Sequence, residues 1–502
     1  MSPQPRGSRG TRGTNRRTVL AAGAAATAGV AAGPPASAAP AAGPAATEPT
    51  APESGAPESG ARGAGADGAL DGPPATAQRP GRELRALLAE IDPDRIEADV
   101  RRLAAFGTRH TLSAQDDPER GIGAARDWIH RRLRRHAAAS GGRMTVELQS
   151  YVQQPANRIP VPTRITNVVA TLRGDTDPDR VYVVSGHYDS RASDVMDATS
   201  DAPGADDDAS GVAIAMELAR ILATRRTAAT IVLAAVAGEE QGLYGAAHMA
   251  EQFRVRGTRV QGMFTNDIVG SSTADDGTRD PHTVRLFAEG VPTAETPDEA
   301  NTRRSVGGEN DSPARQLARF VRDVAAGDAT GMDVRVIYRR DRYLRGGDHI
   351  PFLERRFPAA RFTEPAEDYA HQHQDVRVED GKQYGDLPEF CDFGYIARVA
   401  RVNLAAVWTL AQAPGTPTGA GIVTSALTND TELVWDRGTE PDLAGYEVVW
   451  RETTAPEWTH VEPVGDVTRH TVPESKDNLF FGVRAVDREG RRSPVAFPVP
   501  RR

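Results

Sequence analysis

Short apolar runs alternate with helical patterns through the middle of the chain. The runs over 181–185, 230–236 and 262–266 consist mainly of apolar and β-branched residues, and each leads into an acidic residue or a histidine. Runs of this length predict buried strands, and their alternation with helices predicts an α/β fold with parallel strands. Two further runs, over 144–152 and 165–172, are expected to lie antiparallel beside them, which would make the sheet mixed.

Helical patterns mark the two ends of this region. The globular part is predicted to begin near Gly81, with amphipathic helices over 83–88, 96–103 and 122–133. A strongly periodic helix over 396–408 is expected to close it. A catalytic domain is therefore predicted at 81–413.

Two segments in the second half of the chain depart from this pattern. Residues 271–313 are rich in Asp, Thr, Gly and Glu, with one strand-like piece, and predict a long surface loop or lid. Pro and Gly at 414–420 predict a linker. Beyond it, short strands separated by turn signals over 421–502 resemble a fibronectin type III sandwich, with Trp435 and Tyr446 in its core. We expect this module to act as a spacer or to bind a surface or polymer, and its removal to leave turnover nearly unchanged.

The first 80 residues differ in composition from the rest. Residues 1–38 carry the pair Arg16-Arg17 before an Ala-rich stretch that is too short to span a membrane stably, and they resemble a twin-arginine export signal. Residues 39–80 are rich in Ala, Pro, Gly, Glu and Ser. They are predicted to be a disordered pro-segment or linker, because they contain too little apolar surface to form a core. We therefore expect a secreted protein with no transmembrane anchor.

Charge and cysteine content exclude some classes of protein. The 502-residue chain has a net charge of −9, which indicates no nucleic-acid partner. Cys391 is its single cysteine, which excludes an internal disulfide and argues against a thiolate metal site.

Acidic residues and one histidine stand where the predicted parallel strands end. His187 follows the first run, the Asp206–Asp208 triplet precedes a helix, Glu239-Glu240 follows the second run, and Asp267 follows the third. Ligands of α/β proteins bind at this edge of the sheet, where the strand ends converge. Because clustered carboxylates repel one another, a bound cation is expected among them, and one His with Asp and Glu suits zinc. The alternative is an acidic rim that is exposed to solvent and binds no metal. Any one of these motifs alone would fit that alternative about as well as a metal site, but the complete set favours the metal site.

These motifs, in this order, resemble those of two-zinc exopeptidases, and most closely the secreted leucine aminopeptidases of streptomycetes and vibrios. The resemblance covers roughly residues 82–413 and implies a three-layer α/β/α sandwich around a mixed, mainly parallel sheet. It implies two zinc ions per chain, with Asp207 bridging them and Glu239 as general base. Asp189 would accept the second N–H of the ligand imidazole. The metal ligands that it implies are His187, Asp207, Glu240, Asp267 and His371.

The fifth ligand depends on a spacing rule. The family pattern is a His followed four positions later by an Asp, which His371 and Asp375 fit and His373 does not. The family often has a transition-state-stabilising Tyr directly before this His, but that position is Ala370 here. Tyr369, one residue earlier, is therefore predicted for that role. Asp348 and His349, in a family-like loop, are expected to shape the site rather than bind metal.

The resemblance predicts a metallo-aminopeptidase that hydrolyses the N-terminal bond of peptides with a free N-terminus. A carboxypeptidase and a glutaminyl-cyclase-like enzyme of the same fold are the alternatives among enzymes. A non-catalytic binding protein is a further alternative, but such a relative is expected to have lost ligands or the base. The sequence retains all of them.

Overall fold

The computed structural model describes residues 73–425 and 427–502. The predicted export signal and most of the predicted linker lie outside these ranges. Within them, no helix combines the length and apolar character that a membrane span needs.

An eight-stranded mixed sheet forms the centre of the large domain. The strand order is β1-β2-β4-β3-β5-β8-β6-β7. The four pairs β3–β4, β3–β5, β5–β8 and β6–β7 are parallel, and the remaining pairs are antiparallel. The strands are β1 (Met144–Gln153), β2 (Thr163–Leu172), β3 (Asp177–His187), β4 (Ala229–Val236), β5 (Arg259–Asn266), β6 (Thr283–Phe287), β7 (Asp333–Ile337) and β8 (Ala359–Thr363).

Helices cover both faces of the sheet. They are α1 (Arg82–Leu88), α2 (Pro93–Ala104), α3 (Gly121–Ala137), α4 (Ser210–Leu222), α5 (Tyr244–Arg256), α6 (Pro297–Val306), α7 (Pro313–Ala325), α8 (Ile350–Leu353) and α9 (Phe393–Gln412). Tyr182 and Val184 of β3 join one apolar core with α2, α3, α4 and α9, while Val181 and Val183 join a second core with α5 and α8. Alternate residues of a strand point to opposite faces. The predicted three-layer α/β/α sandwich is confirmed.

The polar segment 271–313 contains more regular structure than a loop. It supplies β6, as the strand-like piece predicts, and also α6. Thr296 and Glu299 form a reciprocal capping box at the start of α6, where each side chain accepts from the other residue's backbone N–H. Capping of this kind explains a helix in a segment with little apolar periodicity.

The C-terminal part consists of two β-sheets. The first has the order β15-β12-β11-β17 and the second the order β14-β13-β16. Trp435 and Tyr446 are buried in the core between them, as predicted. The strands are β11 (Gly421–Val423), β12 (Thr431–Val434), β13 (Leu443–Glu452), β14 (His460–Gly465), β15 (Arg469–Val472), β16 (Leu479–Asp487) and β17 (Val499–Arg501), while β9 (Arg377–Glu379) and β10 (Lys382–Tyr384) form a separate ladder in the large domain.

Residues 73–78 lie along the edge of the second C-terminal sheet. Ala75 N donates to Thr459 O at 2.8 Å, and Val461 N donates to Pro73 O at 3.0 Å. Backbone hydrogen bonds thus hold these residues in place, although they belong to the segment 39–80 that is predicted to be a disordered pro-segment or linker. An open sheet edge offers backbone hydrogen bonds to any extended segment, whatever its apolar content.

Candidate metal centre

Three neighbouring strands end side by side at one edge of the sheet. A predicted site residue stands at the end of one strand and shortly after the end of each of the other two. β3 lies between β4 and β5 and pairs in parallel with both. It ends at His187, while Glu240 and Asp267 come shortly after β4 and β5. Asp207 belongs to an irregular turn over Ala205–Ala209 that leads into α4. The parallel arrangement therefore gathers residues that are far apart in sequence at one edge of the sheet.

Asp207 stands between two groups of ligand-type side chains. Its Oδ1 lies 3.0 Å from His187 Nε2, and its Oδ2 lies 2.9 Å from His373 Nε2. Asp267 Oδ1 is 3.9 Å from His187 Nε2, and Glu240 Oε1 is 2.9 Å from His373 Nε2. Within each group of three, the ligand atoms all lie within 4.8 Å of one another. Asp207 is the member that both groups share.

The structure brings His373, and not His371, to this cluster. His371 directs Nδ1 at Asp368 at 3.0 Å and stacks on Phe390 with 3.5 Å between ring centres. The prediction of His371 as the fifth ligand, made from its spacing to Asp375, is therefore corrected. His373 has a φ of 49°, in the left-handed region, so the loop turns sharply at this residue. A spacing rule cannot anticipate such a turn.

The adjacent Glu239 and Glu240 have different surroundings. Glu240 is 5% exposed, and its carboxylate belongs to the second ligand group. Glu239 is partly exposed and belongs to neither group. Desolvation raises the pKa of Glu239 well above its ordinary value; the nearby His187 opposes this shift, and Asp267 and Glu240 add to it. This geometry suits a ligand at position 240 and a proton acceptor at position 239.

Asp189 fixes the turn that carries both glutamates. Its Oδ2 accepts from Glu240 N at 3.1 Å and from Thr111 Oγ1 at 2.9 Å, and its Oδ1 accepts from Glu239 N at 3.3 Å. His187 Nδ1 lies 3.1 Å from the Asp189 carbonyl oxygen and 3.6 Å from its carboxylate. The predicted residue therefore orients the imidazole, but its backbone oxygen rather than its carboxylate lies within hydrogen-bonding distance.

Tyr369 does not join this network. Its side chain is 60% exposed, and its hydroxyl group makes no hydrogen bond to the residues that the structure describes. The transition-state role predicted for it stays a prediction.

Relatives with high identity span nearly the whole chain. A protein of Leptosphaeria maculans named "Probable zinc metalloprotease" is 58% identical over 421 residues, which cover 84% of this chain and 98% of the relative. One of the same name from Pyricularia oryzae is 58% identical over 431 residues, which cover 85% of this chain and 86% of that relative. The sequence profile of peptidase family M28 matches residues 167–379. The chain belongs to peptidase family M28.

Solved structures resemble this M28 chain only distantly. The LapA aminopeptidase of Legionella pneumophila is 17% identical, with a TM-score of 0.46 over 66% of this chain and 75% of that one. A glutaminyl cyclase of Porphyromonas gingivalis is 17% identical, with a TM-score of 0.43 over 63% of this chain and 97% of that one. Structural similarity at this level does not distinguish an aminopeptidase from a glutaminyl cyclase.

The donor set of this M28 chain is suited to zinc, the metal that its relatives imply. Imidazole and carboxylate ligands without cysteine are common at zinc sites. His187 Nδ1 lies 3.1 Å from the Asp189 carbonyl oxygen, so the N–H at this position leaves the lone pair of the buried Nε2 for a metal shared with Asp207 and Asp267. Burial would lower the pKa of His373, but Glu240 and Asp207 outweigh it and raise the pKa to about 10. The carboxylates thus stabilise positive charge at this point.

Two carboxylates outside the ligand groups hold the Asp207 turn of the M28 site. Asp386 accepts from the backbone N–H groups of Asp206 at 2.7 Å and of Asp207 at 2.8 Å. Asp208 Oδ2 accepts from His187 N at 2.8 Å. The aspartate triplet is visible in the sequence, but Asp386 is 179 residues from Asp207 and lies in no motif. No sequence signal could have found it.

The loop around Asp348 borders the centre, and its residues belong to neither of the two ligand groups. Asp348 is fully buried, neither of its oxygens has a hydrogen-bond partner among the described residues, and burial raises its pKa to about 7. His349 Nε2 lies 2.8 Å from Arg340 O.

Arg361 is a further residue of the site that the sequence does not predict. It is fully buried and donates to Asp267 Oδ1 at 2.7 Å.

Proposed function

We propose that this M28 chain is an exported aminopeptidase that holds two zinc ions and hydrolyses the first bond of peptides with a free N-terminus. The observation that carries the proposal is the partly exposed Glu239 beside two ligand groups that share Asp207. Glu239 and the neighbouring Asp348 place carboxyl oxygens next to the ligands. A substrate ammonium group at this point favours their ionised form and can donate hydrogen bonds to them, whereas a substrate carboxylate would be repelled.

The residues of the site have separate tasks in this reaction. When bound, zinc lowers the pKa of a coordinated water toward neutrality and polarises the scissile carbonyl group. Glu239 accepts a proton from the attacking water and delivers it to the amine nitrogen as the C–N bond breaks. Asp189 keeps Glu239 and Glu240 in place through their backbone N–H groups. The residues that would hold zinc are His187, Asp207, Asp267, Glu240 and His373.

The shared Asp207 supports two zinc ions rather than one, because each of its oxygens faces a different histidine. Elemental analysis of active, purified protein is expected to give two zinc ions per chain. A value near one in fully active protein would contradict this part of the proposal and would favour a single-metal enzyme.

Substrate polarity tests the aminopeptidase assignment. The full zinc-loaded chain is expected to hydrolyse leucine p-nitroanilide and to leave N-acetylated peptides with a free C-terminus intact. The reverse preference would identify a carboxypeptidase. Cyclisation of N-terminal glutamine without peptide hydrolysis would identify a glutaminyl-cyclase-like enzyme.

A pair of neighbouring substitutions separates the base from the ligand. Glu239→Ala is expected to keep both zinc ions and lose at least about 100-fold in kcat, the lower end for a general base. Glu240→Ala is expected to lose or weaken one zinc, because a ligand is missing. Zinc content and turnover are measured for both variants. The assignment would be reversed if Glu239→Ala alone became metal-deficient.

Export and the C-terminal module complete the proposal. The Arg16-Arg17 pair and the apolar stretch after it support export by the twin-arginine route. Replacing both arginines by lysine is expected to retain the protein inside the cell.

The two C-terminal sheets, with buried Trp435 and Tyr446, support a fibronectin type III-like module that contacts a surface or polymer. Co-sedimentation of the full chain with insoluble polymers tests this role.

A further inference from the structure

Three arginines surround a single glutamate near the metal centre. Glu367 accepts from Arg345 Nη1 at 2.5 Å and from Arg285 Nη2 at 3.3 Å, and its Oε2 lies 3.6 Å from Arg342 Nη1. Asp341 adds one further carboxylate, 3.1 Å from Arg342 Nε. Positive charge therefore exceeds negative charge in this group, which is the requirement for binding an anion.

The chain places Arg345 at the rim of the metal centre. Two residues later, a Cβ atom on Gly347 would lie 3.3 Å from Asp267 Oδ2, so the backbone here passes directly over a ligand carboxylate. Gly346 O accepts from Arg361 Nη1 at 2.9 Å, which fixes the loop to the residue that binds Asp267. Glu367 lies in the segment that leads to His373. The Arg345–Glu367 pair thus joins the two loops that border the site.

Arg345 has donors left for a ligand. Its side chain is 33% exposed. Nη1 donates to Glu367, whereas Nε and Nη2 donate to none of the described residues. Arg342 Nη1 is buried and also has no hydrogen-bond partner in the described part of the chain. A planar guanidinium with two free donor groups can bind a carboxylate through paired hydrogen bonds.

We propose that Arg345 binds the free C-terminal carboxylate of the substrate, and that the substrates are therefore di- and tripeptides. This rests on the proposed aminopeptidase function, in which the carboxylates near Glu239 bind the N-terminal ammonium group. Consecutive Cα atoms are about 3.8 Å apart, so the carboxylate of such a peptide lies within about 8 Å of the scissile bond. In longer peptides the carboxylate extends beyond the rim and gains nothing from Arg345.

Paired substrates measure this contact. The zinc-loaded full chain is expected to hydrolyse Leu-Gly-Gly with a kcat/KM about 10-fold or more above that for Leu-Gly-Gly-amide, the effect of a charge-assisted hydrogen bond. In Arg345→Gln this ratio is expected to fall to about 1, while Arg345→Lys keeps an intermediate ratio. The matched control is Arg173→Gln, an exposed arginine after β2, which keeps the wild-type ratio.

Other outcomes would overturn the proposal. A wild-type ratio near 1 would do so, and so would an Arg345→Gln variant that slows both substrates equally, because a structural role alone predicts that result. A preference for Leu-Glu-amide without any gain from a free C-terminus would assign Arg345 to an acidic side chain instead.

A binding measurement separates this proposal from the proposed function. Calorimetry on zinc-loaded protein compares glycylglycine with glycylglycinamide and needs no turnover. Tighter binding of the free acid by the wild-type chain, lost in Arg345→Gln and kept in Arg173→Gln, supports the carboxylate site even if leucine p-nitroanilide is not hydrolysed. Equal binding of the two ligands, in a chain that does hydrolyse leucine p-nitroanilide, would overturn the carboxylate site alone.

Discussion

At the scale of single residues, His371 and His373 show how contacts separate two chemically equal side chains. Both are histidines in one loop, two positions apart. The ring of His371 is held by stacking on Phe390 and by Asp368. His373 Nε2 lies within 2.9 Å of Asp207 and Glu240. Only the second environment supplies carboxylates that would share a metal with the imidazole.

Substituting each histidine tests that difference. His373→Ala is expected to lose zinc and, with it, most of the activity, because one ligand group then keeps only two members. His371→Ala is the matched control and is expected to keep both zinc ions. Zinc content after dialysis against a weak chelator, together with turnover, provides the measurement. If His371→Ala lost zinc while His373→Ala kept both zinc ions, His371 would be the fifth ligand, as its spacing to Asp375 predicts.

His136 is expected to make stability depend on acid. It lies in the last turn of α3, and burial, with Arg132 and Arg220 nearby, lowers its pKa from 6.5 to about 4. The unfolded chain then binds this proton more readily than the folded chain does. Its contribution to stability is therefore complete above pH 6.5 and is lost as pH falls toward 4.

The corresponding measurement is the free energy of unfolding in urea at pH 7 and pH 5. His136→Gln is expected to reduce the loss between these pH values by about 1 kcal/mol, because the partial exposure of the imidazole to solvent weakens the effect of its pKa shift. The matched control, at the exposed His282, is His282→Gln, which should keep the wild-type dependence. Identical pH dependence in all three proteins would exclude His136 as the source.

At the scale of elements, a close contact between β3 and α4 positions the Asp207 turn. A Cβ on Gly186 of β3 would lie 2.4 Å from the Gly211 carbonyl carbon, and a Cβ on Gly211 would lie 2.2 Å from Asn266 O. Both distances are shorter than real contacts allow. Glycine at these two positions therefore lets the start of α4 lie directly against β3 and β5, one turn after Asp207.

Gly211→Ala is expected to disturb both the fold and the site. The added methyl group must push α4 away from β5, which is expected to cost about 1–3 kcal/mol of unfolding free energy. Zinc affinity should also fall, because Asp207 moves with the helix. The control is Gly394→Ala in α9, where a Cβ would meet only side-chain atoms, at 3.3 Å or more. Thermal unfolding and zinc titration provide the data, and unchanged values for Gly211→Ala would contradict the packing argument.

At the scale of the whole molecule, a buried ionic group joins the C-terminal sheets to the large domain. Asp311 Oδ1 accepts from Arg319 Nη1 at 2.8 Å, and its Oδ2 accepts from Arg451 Nη2 of β13 at 2.7 Å. All three side chains are at most 4% exposed. Trp458 Nε1 also donates to Gln316 Oε1 of α7 at 3.0 Å. The linker at 414–420 therefore joins two parts that share a buried interface.

This interface changes the expectation for a truncation near Gly415. The linker composition predicts a removable module, but removal would expose the α7 surface and leave Asp311 and Arg319 without Arg451. We now expect the truncated protein to unfold at a lower temperature than the full chain. Turnover of the part that stays folded should remain within a few-fold, since no ligand lies beyond residue 413.

Asp311→Ala tests the interface without truncation. It leaves two buried arginines without their carboxylate, which is expected to cost about 3–5 kcal/mol of unfolding free energy. Asp466→Ala is the control, since it removes the exposed partner of Arg437 within the C-terminal sheets and should have no measurable effect. Thermal unfolding is the measurement. A stability of Asp311→Ala equal to that of the control would show that the ionic group does not hold the two parts together.

The sequence by itself determined the α/β sheet and four members of the metal cluster. His187, Asp207, Glu240 and Asp267 could be predicted because each is tied to the end of a strand or the start of a helix. The topology of parallel strands then brings these points to one edge, whatever the detailed packing. A local sequence pattern is enough to predict a site residue when the position of that residue follows from the strand or helix to which it belongs.

Only the tertiary structure decided the rest. His373 replaces His371 because its loop turns through a left-handed residue and rests on Phe390, contacts that no spacing rule contains. Asp386 and Arg361 act on Asp207 and Asp267 from segments distant in sequence. The Asp311–Arg451 contact joins parts that a linker separates. Each of these depends on which side chains meet after folding, and hydrogen bonds and ion pairs between distant segments leave no periodic signal in the sequence.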